Sequence, residues 1–167
     1  MHLEAARGWF ELGNMHEAGE ELARITGLRR AEPDVQKVRL QIALRSRDWS
    51  GAFALAQGLI QASPRDGQIY LWRSQAVRHL SDDGLSRALS LLLEVANDFP
   101  DEPAIPFQLA CYNCQLDQAS TAQCWLAIAF ECALRNGTAK KWKSTALDEG
   151  DLAPLRKKMG EAVGLWL

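Results

Sequence analysis

The sequence predicts an all-α chain built of paired helices, and three observations carry that prediction. Apolar residues recur at helical period in runs of 10 to 16 residues, and strand signals are nearly absent. Pro33, Pro64, Pro100, Pro103 and Pro106 fall between those runs, where a missing backbone donor does no harm. A small residue returns at a near-constant interval: Ala18, Ala52, Ala88 and Ala122 are separated by 34, 36 and 34 residues.

The elements follow from those anchors. Each anchor alanine lies early in a second helix, where a small side chain lets two helices approach closely. Twelve residues earlier stand Ala6, Leu40, Ala76 and Ala110, in the first helices. Leu40 breaks the small-residue pattern, so the first helix of the second pair is expected to be shifted by up to one residue. Four residues after the anchors come Leu22, Ala56, Leu92 and Leu126, and seven after come Ile25, Leu59, Val95 and Ala129. These offsets share one helical face. Pro64 and Pro100 each follow an anchor by 12 residues, but Pro33 follows by 15, so the first linker is about three residues longer. The expected repeats are 1–32, 33–65, 66–101 and 102–135, with a helical cap over 136–167.

Composition sets the outer limits. The 167 residues are 47% apolar and 24% charged, a balance that folds. The 19 basic side chains are matched by 21 acidic ones, which argues against a generic nucleic-acid binder. No stretch of 18 apolar residues exists, so no membrane span is expected. The opening MHLEAARGWF lacks a basic start followed by an apolar run, so no secretory leader is expected. Cys111, Cys114, Cys124 and Cys132 crowd into 22 residues, unlike a disulfide framework spread over a chain, and reduced thiols in a cytoplasmic protein are expected. From Pro103 to Phe130 the only charge is Asp117. That stretch is expected to form both helices of the fourth pair, buried between the third pair and the cap.

No catalytic constellation emerges. His2, His16 and His79 fall in three different repeats, and no Gly-x-Ser-x-Gly, phosphate loop or dinucleotide fingerprint is present. Carboxylate neighbours such as Glu20/Glu21, Asp82/Asp83 and Asp101/Glu102 are adjacent, so they diverge by about 100° on a helix and do not share a proton. The chain is therefore not expected to be an enzyme, and no cofactor is expected. The four cysteines suit helix packing as small buried hydrophobes. A structural zinc is the alternative, although Cys-x2-Cys-x9-Cys-x7-Cys is not a knuckle spacing, and a redox pair is a further one. The tryptophans, Trp49, Trp72 and Trp125 among them, are expected in the core because of the area each buries.

Leu12-Gly13-Asn14-Met15-His16-Glu17-Ala18 and Arg47-Asp48-Trp49-Ser50-Gly51-Ala52 resemble the inter-helix turn of the tetratricopeptide repeat family. Trp72 with Ala76, and Leu109 with Ala110, resemble its first-helix signature. Ala146-Leu147-Asp148-Glu149-Gly150-Asp151-Leu152-Ala153-Pro154-Leu155-Arg156 is similar to the segment that closes a subgroup of bacterial members. The resemblance implies a right-handed α-α superhelix of about four repeats. The cap would cover the last apolar face with Trp142, Leu147, Leu152, Leu155, Met159, Val163, Leu165 and Trp166.

It also implies protein or peptide binding in a concave groove lined by first helices. Counted back from each anchor, the candidate groove residues are Arg7, Phe10, Lys37, Gln41, Arg45, Tyr70, Arg73, Phe107 and Cys111. Arg7, Lys37, Arg45 and Arg73 would form a basic run with Phe10, Tyr70 and Phe107 interleaved, suited to an acidic or C-terminal peptide. The two-carboxylate clamp of chaperone-binding members is not reproduced, since Leu3 and Arg7 stand where its Lys and Asn would. The alternative function is self-assembly, as a homodimer, through the first helix, whose apolar face of Leu3, Ala6, Trp9 and Phe10 lacks a preceding neighbour.

Overall fold

The four anchor alanines are all fully buried, and the helix pairs around them explain why. A computed structural model describes residues 1–159. Its helices are α1 (His2–Glu11), α2 (Met15–Ala23), α3 (Pro33–Arg45), α4 (Trp49–Ala62) and α5 (Gly67–Arg78). They continue with α6 (Gly84–Leu93), α7 (Ala104–Gln115), α8 (Ala119–Arg135), α9 (Ala139–Asp148) and α10 (Ala153–Met159). No strand occurs among the described residues. The cap residues Val163, Leu165 and Trp166, and the side chain of Met159, lie outside what is described.

One turn is used four times. Gly13, Arg47, Asp117 and Gly137 lie between successive helices; the φ values of +79°, +60°, +58° and +74° place all four in the left-handed region. Each donates its N–H to a carbonyl three residues back, and the next residue donates to one five back, as in Asn14 to Trp9 and Asp48 to Ala43, both at 2.9 Å. This pair of bonds satisfies carbonyls that the ending helix would otherwise orphan. After the first two of these turns a side chain caps the following helix: Asn14 accepts from the Glu17 N–H and Asp48 from the Gly51 N–H. Arg47 occupies a site that favours glycine, because an L side chain there meets its own carbonyl. Arg47→Gly should therefore stabilise the protein by about 0.5–1 kcal/mol, a rise of about 4 °C in Tm. An unchanged or lower Tm would contradict that strain.

The 36-residue spacing has a local origin. Residues 79–83 join α5 to α6, five residues where the other pairs use three. Gly84 ends this longer turn buried, and a Cβ there would lie 2.6 Å from the carbonyl oxygens of Val77 and Arg78. The longer first linker is taken up by a 3-10 turn at Gly27–Ala31.

The chain divides into two compact units, Met1–Gly84 and the residues from Leu85 on. In the first, each helix packs on the next from α1 to α5, and α3 also touches α1 and α5. The first helices α1, α3 and α5 thus lie side by side. The expected one-residue shift at Leu40 does not occur: Leu40 is 0% exposed, like Ala6 and Ala76 at the matching positions. Its extra volume is matched by Ala43, Ala52, Ala56 and Ala76 in the same cluster, with Leu59 and Ile69 closing it.

In the second unit α7 packs against α8 and against a 3-10 turn at Gly150–Leu152. Nine of its twelve residues, from Ile105 to Cys114, are buried. Burial on two sides accounts for the absence of charge, since an ionised group there would lose hydration without a partner. Asn113 is the buried exception, and its amide donates to the Leu109 carbonyl at 2.7 Å. Trp142, Leu152 and Leu155 cover this cluster as expected of a cap, whereas Leu147 is 55% exposed. Arg156 fixes the cap by donating to the carbonyls of Ala146 and Glu149 at 2.9 and 2.6 Å.

Candidate functional site

The most informative surface lies in the first unit, where α1, α3 and α5 end together. Phe10 from α1, Gln41, Leu44 and Arg45 from α3, Trp49 at the start of α4, Trp72, Gln75 and Arg78 from α5, and His79 just after it line an open cleft of about 470 Å³. Local chain logic puts them there. The three-residue turn after Arg45 brings Trp49 back beside the helix end, and α5 runs alongside α3 to deliver His79 to the same edge.

Two ring contacts organise the cleft. The Arg45 guanidinium carbon lies 5.0 Å from the centroid of the Phe10 ring. A guanidinium over a ring face is held flat while its N–H groups stay available at the edge. The His79 imidazole stacks on Trp49 with centroids 4.2 Å apart and planes 22° from parallel. Burial pushes the His79 pKa below its ordinary 6.5, and the positive charges of Arg78 and Arg47 push it the same way. Both effects favour the uncharged ring. Among the described residues, no Asp or Glu lines the cleft.

Comparison with family models, curated proteins and solved structures finds no match. The site thus has to be read from its own chemistry: two arginines, three large aromatic rings, two amides and a histidine around one concavity. Such a surface offers hydrogen-bond donors to carboxylate and apolar area to a neighbouring ring.

The nine sequence-predicted residues separate into groups. Phe10, Gln41 and Arg45 come together in the cleft. Arg7 is paired with Glu4 at 3.5 Å, one turn away on its own helix. Lys37 is paired with Asp66 at 2.8 Å. Asp66 also caps α5 by accepting from the Gln68 N–H. Arg73 sits over the Tyr70 ring, 5.3 Å from its centroid, and the Tyr70 hydroxyl donates to the Pro64 carbonyl. The expected basic run is therefore interrupted by acids, with Arg45 the one member of it at the cleft. Phe107 and Cys111 are 5% and 2% exposed in the second unit's core, Phe107 packed on Trp142 at 5.0 Å. They have no surface to offer a ligand, because the cap covers the positions that the groove register assigned to them.

Sequence reasoning missed Trp49, Trp72, Gln75, Arg78 and His79. Trp49 and Trp72 were expected in the core, and both are only half-buried, with one face on the α3–α5 cluster or the His79 ring and another on the cleft. For four of the five the usable signal was position: Trp49 starts a second helix, and Gln75, Arg78 and His79 lie in or just after the last turn of a first one, whereas Trp72 sits in the middle of α5.

The cysteines do not converge. Cys111, Cys114 and Cys132 are buried, Cys124 is exposed, and no three His, Cys, Asp or Glu side chains among the described residues could hold a metal ion. Burial pushes the Cys132 thiol up, with Asp101 and Glu102 adding to the shift and Arg135 opposing it. That keeps it protonated and poorly nucleophilic. On the first helix, Leu3 packs against Ala6, Leu22, Ile25, Val35 and Val38, so part of the face expected to be open is covered by α2 and α3. Trp9 remains 38% exposed. Among the described residues, no helix is long and apolar enough to cross a membrane.

Proposed function

We propose that the protein is a non-catalytic binding scaffold of the tetratricopeptide type, whose first unit holds an acidic, aromatic-bearing segment of another protein. A right-handed superhelix of four repeats is the setting that the resemblance to the tetratricopeptide family implies; the likeness of the closing segment to bacterial members and the clustered cysteines favour a bacterial cytoplasm. One observation carries the reading: Phe10, Gln41 and Arg45, predicted from two different repeats, converge on one cleft that has two arginines and, among the described residues, no carboxylate. In this reading Arg45 and Arg78 donate to the ligand's acids, while Phe10, Trp49 and Trp72 bury its ring. Gln41 and Gln75 pair with the peptide backbone.

Two tryptophans at the cleft supply the measurement. Titration with an octapeptide of Asp, Glu and Phe should perturb the intrinsic fluorescence, with a Kd on the order of 10 µM at low salt, weakening as salt is raised. The same peptide with Asn and Gln in place of its acids should bind at least about tenfold more weakly. Equal binding of the two peptides, or of neither, overturns the reading.

A further inference from the structure

The cleft holds one group that can change its charge near neutral pH, and its surroundings decide when it does. His79 closes α5 and lies flat on Trp49, at 4.2 Å between centroids. Arg78 flanks it on its own helix, and Arg47 acts on it from the turn between α3 and α4. Arg45 lines the same concavity from α3. The carboxylates near these elements are turned to other donors or to solvent. Asp48, beside Trp49, accepts from the Gly51 N–H and the Ser50 hydroxyl. Asp83 accepts from the Ser81 hydroxyl at 2.6 Å, and Asp82 is exposed. The charges that act on the imidazole are thus cationic.

We infer that His79 recognises a carboxylate of the bound partner by taking up a proton as it binds, so that the cleft holds acidic ligands more tightly as pH falls. This inference rests on the proposed acidic-peptide reading of the same cleft. In the empty cleft a second positive charge beside Arg78 and Arg47 is opposed by repulsion and by lost hydration. A carboxylate seated among them reverses the sign of the local field, and the charged imidazole then gains an acceptor. Stacking on Trp49 holds the ring in one orientation, so no rearrangement is needed when the proton arrives. It also sets a cation against an indole face, the best of the aromatic partners for one.

The pH window follows from the direction of the shift. The free-state pKa lies below 6.5 and the bound state raises it. Affinity is flat well above the bound-state value, rises as pH falls through it, and levels below the free-state value. The ligand could present either a side-chain carboxylate or a chain terminus, since both supply the same two oxygens. Two octapeptides of Asp, Glu and Phe, one amidated and one with a free C-terminus, separate these sources.

Both are titrated at pH 8.0 and pH 5.5, above the range where their own acids take up protons. Wild-type affinity for at least one should rise about fivefold between those values. His79→Gln, neutral at both, should bind equally at pH 8.0 and pH 5.5 and so lose the rise, whatever its absolute affinity. His2 and His16 remain in that variant, so they cannot account for its flat profile. NMR of the wild-type His79 ring, with and without peptide, should show its pKa raised by the ligand, and needs no variant to fold. Binding that is equal at both pH values, or an unmoved His79 pKa, overturns the inference while leaving the acidic-peptide reading intact. Absence of acidic-peptide binding at every pH overturns both.

Discussion

Replacing Arg45 by glutamate should weaken binding of an acidic peptide by about tenfold to thirtyfold, or on the order of 1.4–2 kcal/mol, with little change in Tm. Arg45 is exposed and lies over the Phe10 ring, so its loss opens no cavity. The substitution inserts the charge that the cleft otherwise lacks, and repulsion of the ligand adds to the lost donor. Arg7→Glu is the matched control. Arg7 is already neutralised by Glu4 and lies outside the cleft lining, so its reversal should alter binding less than about threefold. If both reversals weaken binding equally, the effect is one of overall charge and the cleft is not the site. If Arg45→Glu binds as wild type does, the peptide sits elsewhere.

The largest effect on stability should come from Leu40→Ala. On repeat pattern alone this change is harmless, because alanine stands at all three matching positions in the other pairs, Ala6, Ala76 and Ala110. Packing says otherwise. Leu40 fills the space left by Ala43, Ala52, Ala56 and Ala76, and three removed carbons leave a cavity walled by side chains too short to collapse into it. The expected cost is about 3 kcal/mol, a fall of about 10 °C or more in Tm. Leu12→Ala, at a residue 77% exposed, should leave Tm nearly unchanged. A Leu40→Ala protein melting within about 2 °C of wild type would mean that the surrounding alanines relax inward.

The helix pairs were legible because they depend on local rules. Spacing located Ala18, Ala52, Ala88 and Ala122, and all four are fully buried. The two stretches that resemble an inter-helix turn, around Gly13 and Asp48, do join helices, with Asn14 and Asp48 capping the second helix of each pair. The cleft was only partly legible. Phe10, Gln41 and Arg45 could be counted back from their anchors, since they sit on regular helix. Trp49 and His79 could not, because their meeting depends on the three-residue turn after Arg45 and on how α5 lies along α3. The pairing of Lys37 with Asp66 joins residues 29 apart on separate elements, and no periodicity encodes it. Phe107 and Cys111 obey the groove register in sequence, yet Trp142, Leu152 and Leu155 share their cluster. A register assigns a face to a residue, and only tertiary packing says whether that face is covered.

The packing of α3 against α1, α2, α4 and α5 bears on how the first unit forms in time. Each of these partners lies within two helices of α3 along the chain. Little loop entropy is lost before the first contacts give their return, and chains with such near-neighbour contacts fold quickly. A pair formed around α3 and α4 can recruit α5 on one side and α2 with α1 on the other, in either order. Growth from the middle outward adds the rims of the cleft last. Phe10 and His79 are then the parts of the site that local opening releases first, while Arg45 and Trp49 stay on the element that was built earliest.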